Sequence, residues 1–265
     1  MPFAFIGFFL ATKSYNMEWI KLLYVVLCMV FARSAAMGFN RYIDRDIDKE
    51  NERTSKVREI PNGTITAQNA LIFVIINSLL FITTTYLINT LCFALSPIAL
   101  IVILGYSYTK RFTALCHFIL GLGLALSPIG AYLAVSGEFE LIPILFSAAV
   151  LFWVSGFDII YSLQDEQFDK TQKLHSIPVL MGEKNALQLS NVLHLISILI
   201  LSFAGTLGEF GKLYWLGFSI FCGLLIYQHT LVKHNDLSKV NLAFFTTNGI
   251  ASVIFGTFVI FDLLL

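Results

Sequence analysis

Ten of the chain's 17 acidic residues fall in two short windows. The first holds Asp44, Asp46, Asp48, Glu50, Glu52 and Glu59, and the second Asp158, Asp165, Glu166 and Asp169. Asn40, Asp44 and Asp48 recur every four residues, which on a helix makes one stripe drifting only ~80° over two turns. The spacing of Asp158, Asp165 and Asp169 predicts a second stripe, with the three side chains within ~40° of one another. Asp46 and Glu166 fall off these stripes. Stacked carboxylates repel unless a cation lies among them. An oxygen-only set without matching His or Cys suits Mg²⁺, which takes one or two carboxylates and completes its shell with water and substrate phosphate. Two facing stripes would therefore hold two Mg²⁺ bridged by a diphosphate. Asn40, Asp44, Asp48, Asp158, Asp165 and Asp169 are the candidate metal ligands, and Asp44, Asp48, Asp165 and Asp169 the catalytic core among them. Nearby bases complete a phosphate site: Arg53 and Arg58 before the turn Pro61-Asn62-Gly63, Lys110 and Arg111 after a helix end, and Lys173 after the second stripe. The five histidines lack metal-binding spacing, and the four cysteines sit in apolar stretches without a CxxC pair; both sets read as packing residues.

The elements that position these groups must be membrane helices. The 265 residues are 57% hydrophobic and 13% charged, with mean hydropathy +0.78. A soluble domain carries about 25% charged residues, and disorder requires low hydrophobicity. Equal numbers of basic and acidic residues, 17 each, argue against a nucleic-acid partner. Apolar stretches near 17–43, 69–89, 91–109, 113–136, 141–168, 187–207, 212–232 and 242–264 predict eight spans. Pro2–Thr12 reads as the far half of a further helix whose remainder lies upstream. The expectation is an all-α polytopic membrane protein of nine helices, the first truncated, forming a single domain over 1–265. Basic residues concentrate in the connections 41–68, 110–112, 169–186 and 233–241, which the positive-inside rule assigns to the cytoplasm. An ion-coupled transporter is the alternative class, but its carboxylates belong near the bilayer midplane rather than at helix ends beside basic loops.

Three segments carry a resemblance. NxxxDxxxD at 40–48, Arg58-Glu59-Ile60-Pro61-Asn62-Gly63, and YxxxDxxxD at 161–169 resemble the UbiA family of intramembrane prenyltransferases. Gly105–Arg111, Leu126–Gly130 and Phe157–Tyr161 are similar to its 4-hydroxybenzoate polyprenyltransferase branch. Glu59 departs from the proline that many relatives carry there. The resemblance implies nine helices around a central cavity capped by cytosolic loops in the bacterial inner membrane. It places the first aspartate motif at Asn40, Asp44 and Asp48 and the second at Asp165 and Asp169, with Asp158 in support. It also implies Mg²⁺-dependent transfer of a polyprenyl group from its diphosphate to a small aromatic acid in respiratory quinone biosynthesis. The acceptor is 4-hydroxybenzoate, or in the alternative a dihydroxynaphthoate of menaquinone biosynthesis. A cation-like allylic carbon needs a dry cavity and benefits from aromatic faces, for which Tyr106, Tyr108 and Tyr161 are candidates.

Overall fold

Lipid offers the backbone no hydrogen-bond partner, so long apolar segments must satisfy their amides internally. The computed structural model, which describes Met1–Leu265, contains helices and no strand. In chain order they are α1 (Pro2–Ala11), α2 (Trp19–Ile43), the short α3 (Arg45–Glu50) and α4 (Glu52–Ser55), α5 (Ala67–Ile88), α6 (Thr90–Thr109), α7 (Cys116–Ser136) and α8 (Leu141–Ser162). A 3₁₀ turn at Leu163–Asp165 leads into α9 (Glu166–Thr171) and α10 (Ile177–Met181). The chain closes with α11 (Glu183–Leu207), α12 (Lys212–Leu231), a π-helical turn at Leu242–Thr247 and α13 (Asn248–Leu264). Seven stretches are long and apolar enough to cross a membrane: α2, α5, α6, α7, Leu141–Thr171, α11 and Leu242–Leu264. The nine expected spans correspond to nine helices of ten residues or more, but α1 is too short to cross and α12 is not among the seven.

Helix starts follow local chemistry. Thr66 and Asn89 cap α5 and α6 by accepting the amides of Asn69 and Cys92. Asn89 also donates to the Leu133 carbonyl at 2.8 Å, tying the start of α6 to the far end of α7. Asp262, near the end of α13, accepts the amides of Gly211, Leu213 and Tyr214 and so caps α12. Short as it is, α1 is central. It packs between α7 and α13, and its Phe3, Ile6 and Phe8 are buried. A continuous aromatic core joins Phe3, Phe146, Trp153, Tyr214, Phe221 and Phe255. Large apolar side chains such as Trp19, Ile101 and Ile226 face outward, as a lipid-facing surface requires.

Two expected helical stripes are interrupted. α2 ends at Ile43, Asp44 sits at a helix break with φ −87° and ψ 4°, and α3 restarts at Arg45. The expected span 141–168 ends as an α-helix at Ser162, and the 3₁₀ turn changes the angular step before Asp165. Asp158 therefore does not share one continuous helical face with Asp165 and Asp169. In both windows the acidic run leaves the membrane helix and becomes a loop helix, where backbone groups can turn toward water.

Candidate active site

The breaks gather three segments at one end of the bundle. Asp44 is buried with its side chain 2% exposed, and it accepts from three donors. Asn40 Nδ2 lies at 2.9 Å, Lys110 Nζ at 3.2 Å and Arg111 Nη2 at 3.1 Å. The end of α2 is thus locked to the end of α6. Asp48 is buried and pairs with Arg58 from the following loop, and Thr54 donates to the Asp48 carbonyl at 3.0 Å. Burial pushes the Asp48 carboxyl above its ordinary pKa, with the Arg58 guanidinium opposing that shift.

The second acidic segment reaches the first through Arg53. Its Nε and Nη2 meet Asp165 Oδ1 and Oδ2 at 3.1 and 2.5 Å, and its Nη1 donates to the Tyr161 hydroxyl at 3.1 Å. Such a bidentate fork is geometrically demanding. Burial works against the charge on Arg53, but the Asp165 carboxylate more than offsets it. Asn51 donates to the same Asp165 oxygen at 3.2 Å, and Gln172 to Glu50 at 2.7 Å. The backbone amide of His175 donates to the Lys110 carbonyl at 2.7 Å and closes the third side. Asp169 is buried close to Asp165 and Lys110.

The predicted residues do not all converge. Lys173 is exposed, with a left-handed φ of 54°, and pairs with no acid. Tyr161 stacks on Phe244 at 4.1 Å beneath Arg53, and Tyr106 lies near both Asp44 and Asp158. Tyr108 is 44% exposed and packs on Phe39, with the Arg111 guanidinium 6.0 Å over its ring. Asp158 stands apart from the Arg and Lys side chains and meets His117 Nδ1 at 2.7 Å. No three carboxylates or histidines form a ready-made metal cage. The donor set is nevertheless all oxygen, and Mg²⁺ rarely uses an all-protein cage, so these residues fit an ion that arrives with phosphate.

Four further residues belong to this region and were missed by spacing. Arg41 lies inside the first motif, 3.7 Å from Glu59, and Asn51 lies just after that motif. His117 has no neighbouring metal ligand in the sequence, and its partner Asp158 is 41 positions away. Arg33 precedes Asn40 by seven residues on α2, so it lies on the same face, ~10 Å deeper. It is exposed and makes no ion pair. A lone basic residue inside an apolar span was the available signal, because such a charge is costly unless it has a purpose.

Buried or half-buried acids paired with half-exposed bases, at the mouth of an apolar bundle, suit an amphiphile with an anionic head and a hydrocarbon tail. That arrangement defines an intramembrane enzyme of lipid-phosphate chemistry. Comparison with known proteins narrows the class. A family model described as the UbiA prenyltransferase family matches residues 1–250. A 4-hydroxybenzoate octaprenyltransferase of Vesicomyosocius okutanii is 32% identical over 93% of this chain and 89% of its own. One from Shewanella sp. (strain ANA-3) is 30% identical over 89% and 82%. The apo structure of a UbiA homologue from Aeropyrum pernix K1 superposes with a TM-score of 0.89 at 30% identity, covering 98% of this chain and 95% of that one. A UbiA homologue from Archaeoglobus fulgidus bound to GPP and Mg²⁺ shares the fold, with a TM-score of 0.71 at 20% identity over 100% and 97% of the two chains. The chain belongs to the UbiA prenyltransferase family, and it is an integral membrane prenyltransferase.

Proposed function

We propose that the protein transfers a polyprenyl group from its diphosphate to 4-hydroxybenzoate, with Mg²⁺, at the cytoplasmic face of the bacterial inner membrane. The observation that carries this reading is the set of ion pairs at one mouth of the bundle: Asp44 with Lys110 and Arg111, Asp48 with Arg58, and Asp165 with Arg53. Arg53, Arg58, Lys110 and Arg111 can exchange these carboxylates for phosphate oxygens. Asn40, Asp44, Asp48, Asp165 and Asp169 then remain to face the metal. When bound, Mg²⁺ would neutralise charge on the departing diphosphate. The related 4-hydroxybenzoate octaprenyltransferases support 4-hydroxybenzoate as acceptor, and the GPP and Mg²⁺ bound to the Archaeoglobus homologue support a prenyl diphosphate with a divalent ion.

The residues then divide the work by depth. The bases hold the diphosphate at the loop end while the tail extends into the apolar bundle. The C–O bond to diphosphate breaks with its electron pair on oxygen, leaving a cation-like allylic carbon. Tyr161, stacked on Phe244 with Arg53 over its ring, offers the Arg53-covered face to that carbon once Arg53 turns to the diphosphate. The acceptor ring attacks through the carbon ortho to its hydroxyl, and a ring proton leaves. Arg33 supplies the deeper cation that an acceptor carboxylate needs.

A paired assay tests the reading. The detergent-solubilised protein receives Mg²⁺ and a polyprenyl diphosphate, with 4-hydroxybenzoate or 1,4-dihydroxy-6-naphthoate in separate tubes. The expected result is a prenylated product from 4-hydroxybenzoate alone, abolished by EDTA and by Asp44→Ala. Product only from the naphthoate overturns the acceptor. No product from either overturns the reading.

A further inference from the structure

Of the five aspartates predicted for the two acidic stripes, Asp158 alone has a histidine as its partner. It lies on α8 seven residues before Asp165, and its carboxylate is one-fifth exposed although it sits within the bundle. Its Oδ2 meets His117 Nδ1 at 2.7 Å, and no Arg or Lys pairs with it. His117, on α7, is 3% exposed, and its other nitrogen is accounted for. The backbone amide of Ile177 points at His117 Nε2 from 3.3 Å. A backbone N–H can only donate, so Nε2 accepts and the ring proton is assigned to Nδ1, which donates to Asp158. The histidine is thereby a neutral donor with a fixed orientation. Two further contacts hold its backbone in place: Ser155 Oγ, bonded to the Leu151 carbonyl, also lies 3.2 Å from the His117 carbonyl, and Cys116 contacts the His175 carbonyl.

Carboxylates clamped by guanidinium or ammonium groups are committed to neutralising charge. Asp158 faces a neutral N–H through one oxygen, and its Oδ1 makes no hydrogen bond within the protein. It lies near Tyr106 and, seven residues before Asp165 on α8, deeper than the diphosphate-facing acids, at the depth where the reading above puts the acceptor. We propose that Asp158 accepts the ring proton of the aromatic acceptor, and that His117 is the positioning residue that aims it. This rests on the prenyl-transfer reading above. The step balances. The new C–C bond forms with a ring electron pair, and the diphosphate departs with the electrons of the C–O bond. The C–H electrons then restore the aromatic ring as its proton moves to Asp158 Oδ1. His117 keeps its Nδ1 proton throughout.

The test uses 4-hydroxybenzoate deuterated on the ring, with the full-length protein in detergent and Mg²⁺ present. In wild type, bond ionisation precedes proton loss, and the isotope effect on kcat is close to unity. In Asp158→Asn, proton loss becomes slow. kcat should fall about 100-fold, the scale of a lost general base, with a primary isotope effect appearing. His117→Gln should show part of both changes with little change in KM for the diphosphate. His117→Asn retains an N–H near the place of Nδ1 and should recover about tenfold over His117→Gln, most of what one well-placed hydrogen bond to a carboxylate is worth. In the Asp158→Asn background, His117→Gln should add little further loss. Three results overturn the proposal: an isotope effect of unity in a folded, slow Asp158→Asn; Asp158→Asn activity within tenfold of wild type; or equal behaviour of the Asn and Gln variants at position 117. If wild type itself forms no product, the prenyl-transfer reading fails; product without the isotope pattern removes only this inference.

Discussion

Charge at this site is distributed by partner. Asp44 has two bases, Asp48 and Asp165 have one each, and Asp158 has a neutral histidine. Asp48 shows the cost of the arrangement. Its burial favours the protonated form, so the folded chain binds this proton more tightly than the unfolded chain does. The contribution of Asp48 to folding therefore becomes more favourable as pH falls and less so as pH rises. Catalysis needs the opposite state, because a protonated Asp48 cannot face a metal. The acid limb of kcat/KM should lie above that of an ordinary exposed aspartate. Removing the opposing guanidinium with Arg58→Gln should move the limb to still higher pH, read as a shift of the pH profile; a limb that stays in place or moves down would refute this. At Arg33 the expectation is a different kinetic signature. Arg33→Met should raise KM for 4-hydroxybenzoate about 10- to 100-fold, the worth of a charge-assisted hydrogen bond, and leave KM for the diphosphate nearly unchanged. An unchanged acceptor KM would remove Arg33 from the acceptor site.

Helix against helix, the site depends on how closely α7 and α8 approach. A Cβ placed on Gly121 would lie 2.6 Å from the Leu151 carbonyl oxygen and 2.5 Å from Ser155 Oγ. Ser155 is the residue that reaches the His117 carbonyl, and Asp158 follows it on α8 by less than a turn. Gly121→Ala should therefore push the helices apart, cost about 1–3 kcal/mol by overpacking, and loosen the His117–Asp158 contact. The check is a lower unfolding midpoint together with a loss of kcat larger than the loss of folded protein explains. Gly123, two residues on, has ordinary contact distances to Ile103, so Gly123→Ala serves as the comparison expected to be mild. The elements also explain what the sequence made legible. Helices as long as α5 or α6 announce themselves by apolar length, and the Asn40–Asp44–Asp48 spacing marks a chemical stripe. The 3₁₀ turn at Leu163–Asp165 was invisible, because periodicity assumes an unbroken helix and no Pro or Gly marks the break. The Arg53–Asp165 fork joins residues 112 positions apart, and spacing within one element says nothing about contacts between two. His117 was overlooked for the same reason, since its partners Asp158 and Ile177 are 41 and 60 positions away.

For the molecule as a whole, the remaining question is which way the site faces. Arg53–Asp165, Lys110–Asp44 and the His175–Lys110 hydrogen bond draw three basic connections to one end of the bundle. Val240 packs with Ile159 and Leu163, which brings the fourth connection, with Lys233 and Lys239, to the same end. That end carries 13 of the 17 Lys and Arg residues; the other end carries Lys13, Lys21 and Lys212. Translocated segments rarely carry such a density of bases, so the crowded end should stay in the cytoplasm, where a water-soluble aromatic acid and Mg²⁺ are supplied. Single-cysteine labelling checks this once Cys28, Cys92, Cys116 and Cys222 have been replaced. Lys56→Cys lies in the crowded loop, and Glu138→Cys lies between α7 and α8 at the far end. A membrane-impermeant maleimide added to intact bacterial spheroplasts should label Glu138→Cys and spare Lys56→Cys until the membrane is opened. The reverse pattern would put the aspartate loops outside, and the acceptor would then have to reach them from the periplasmic side.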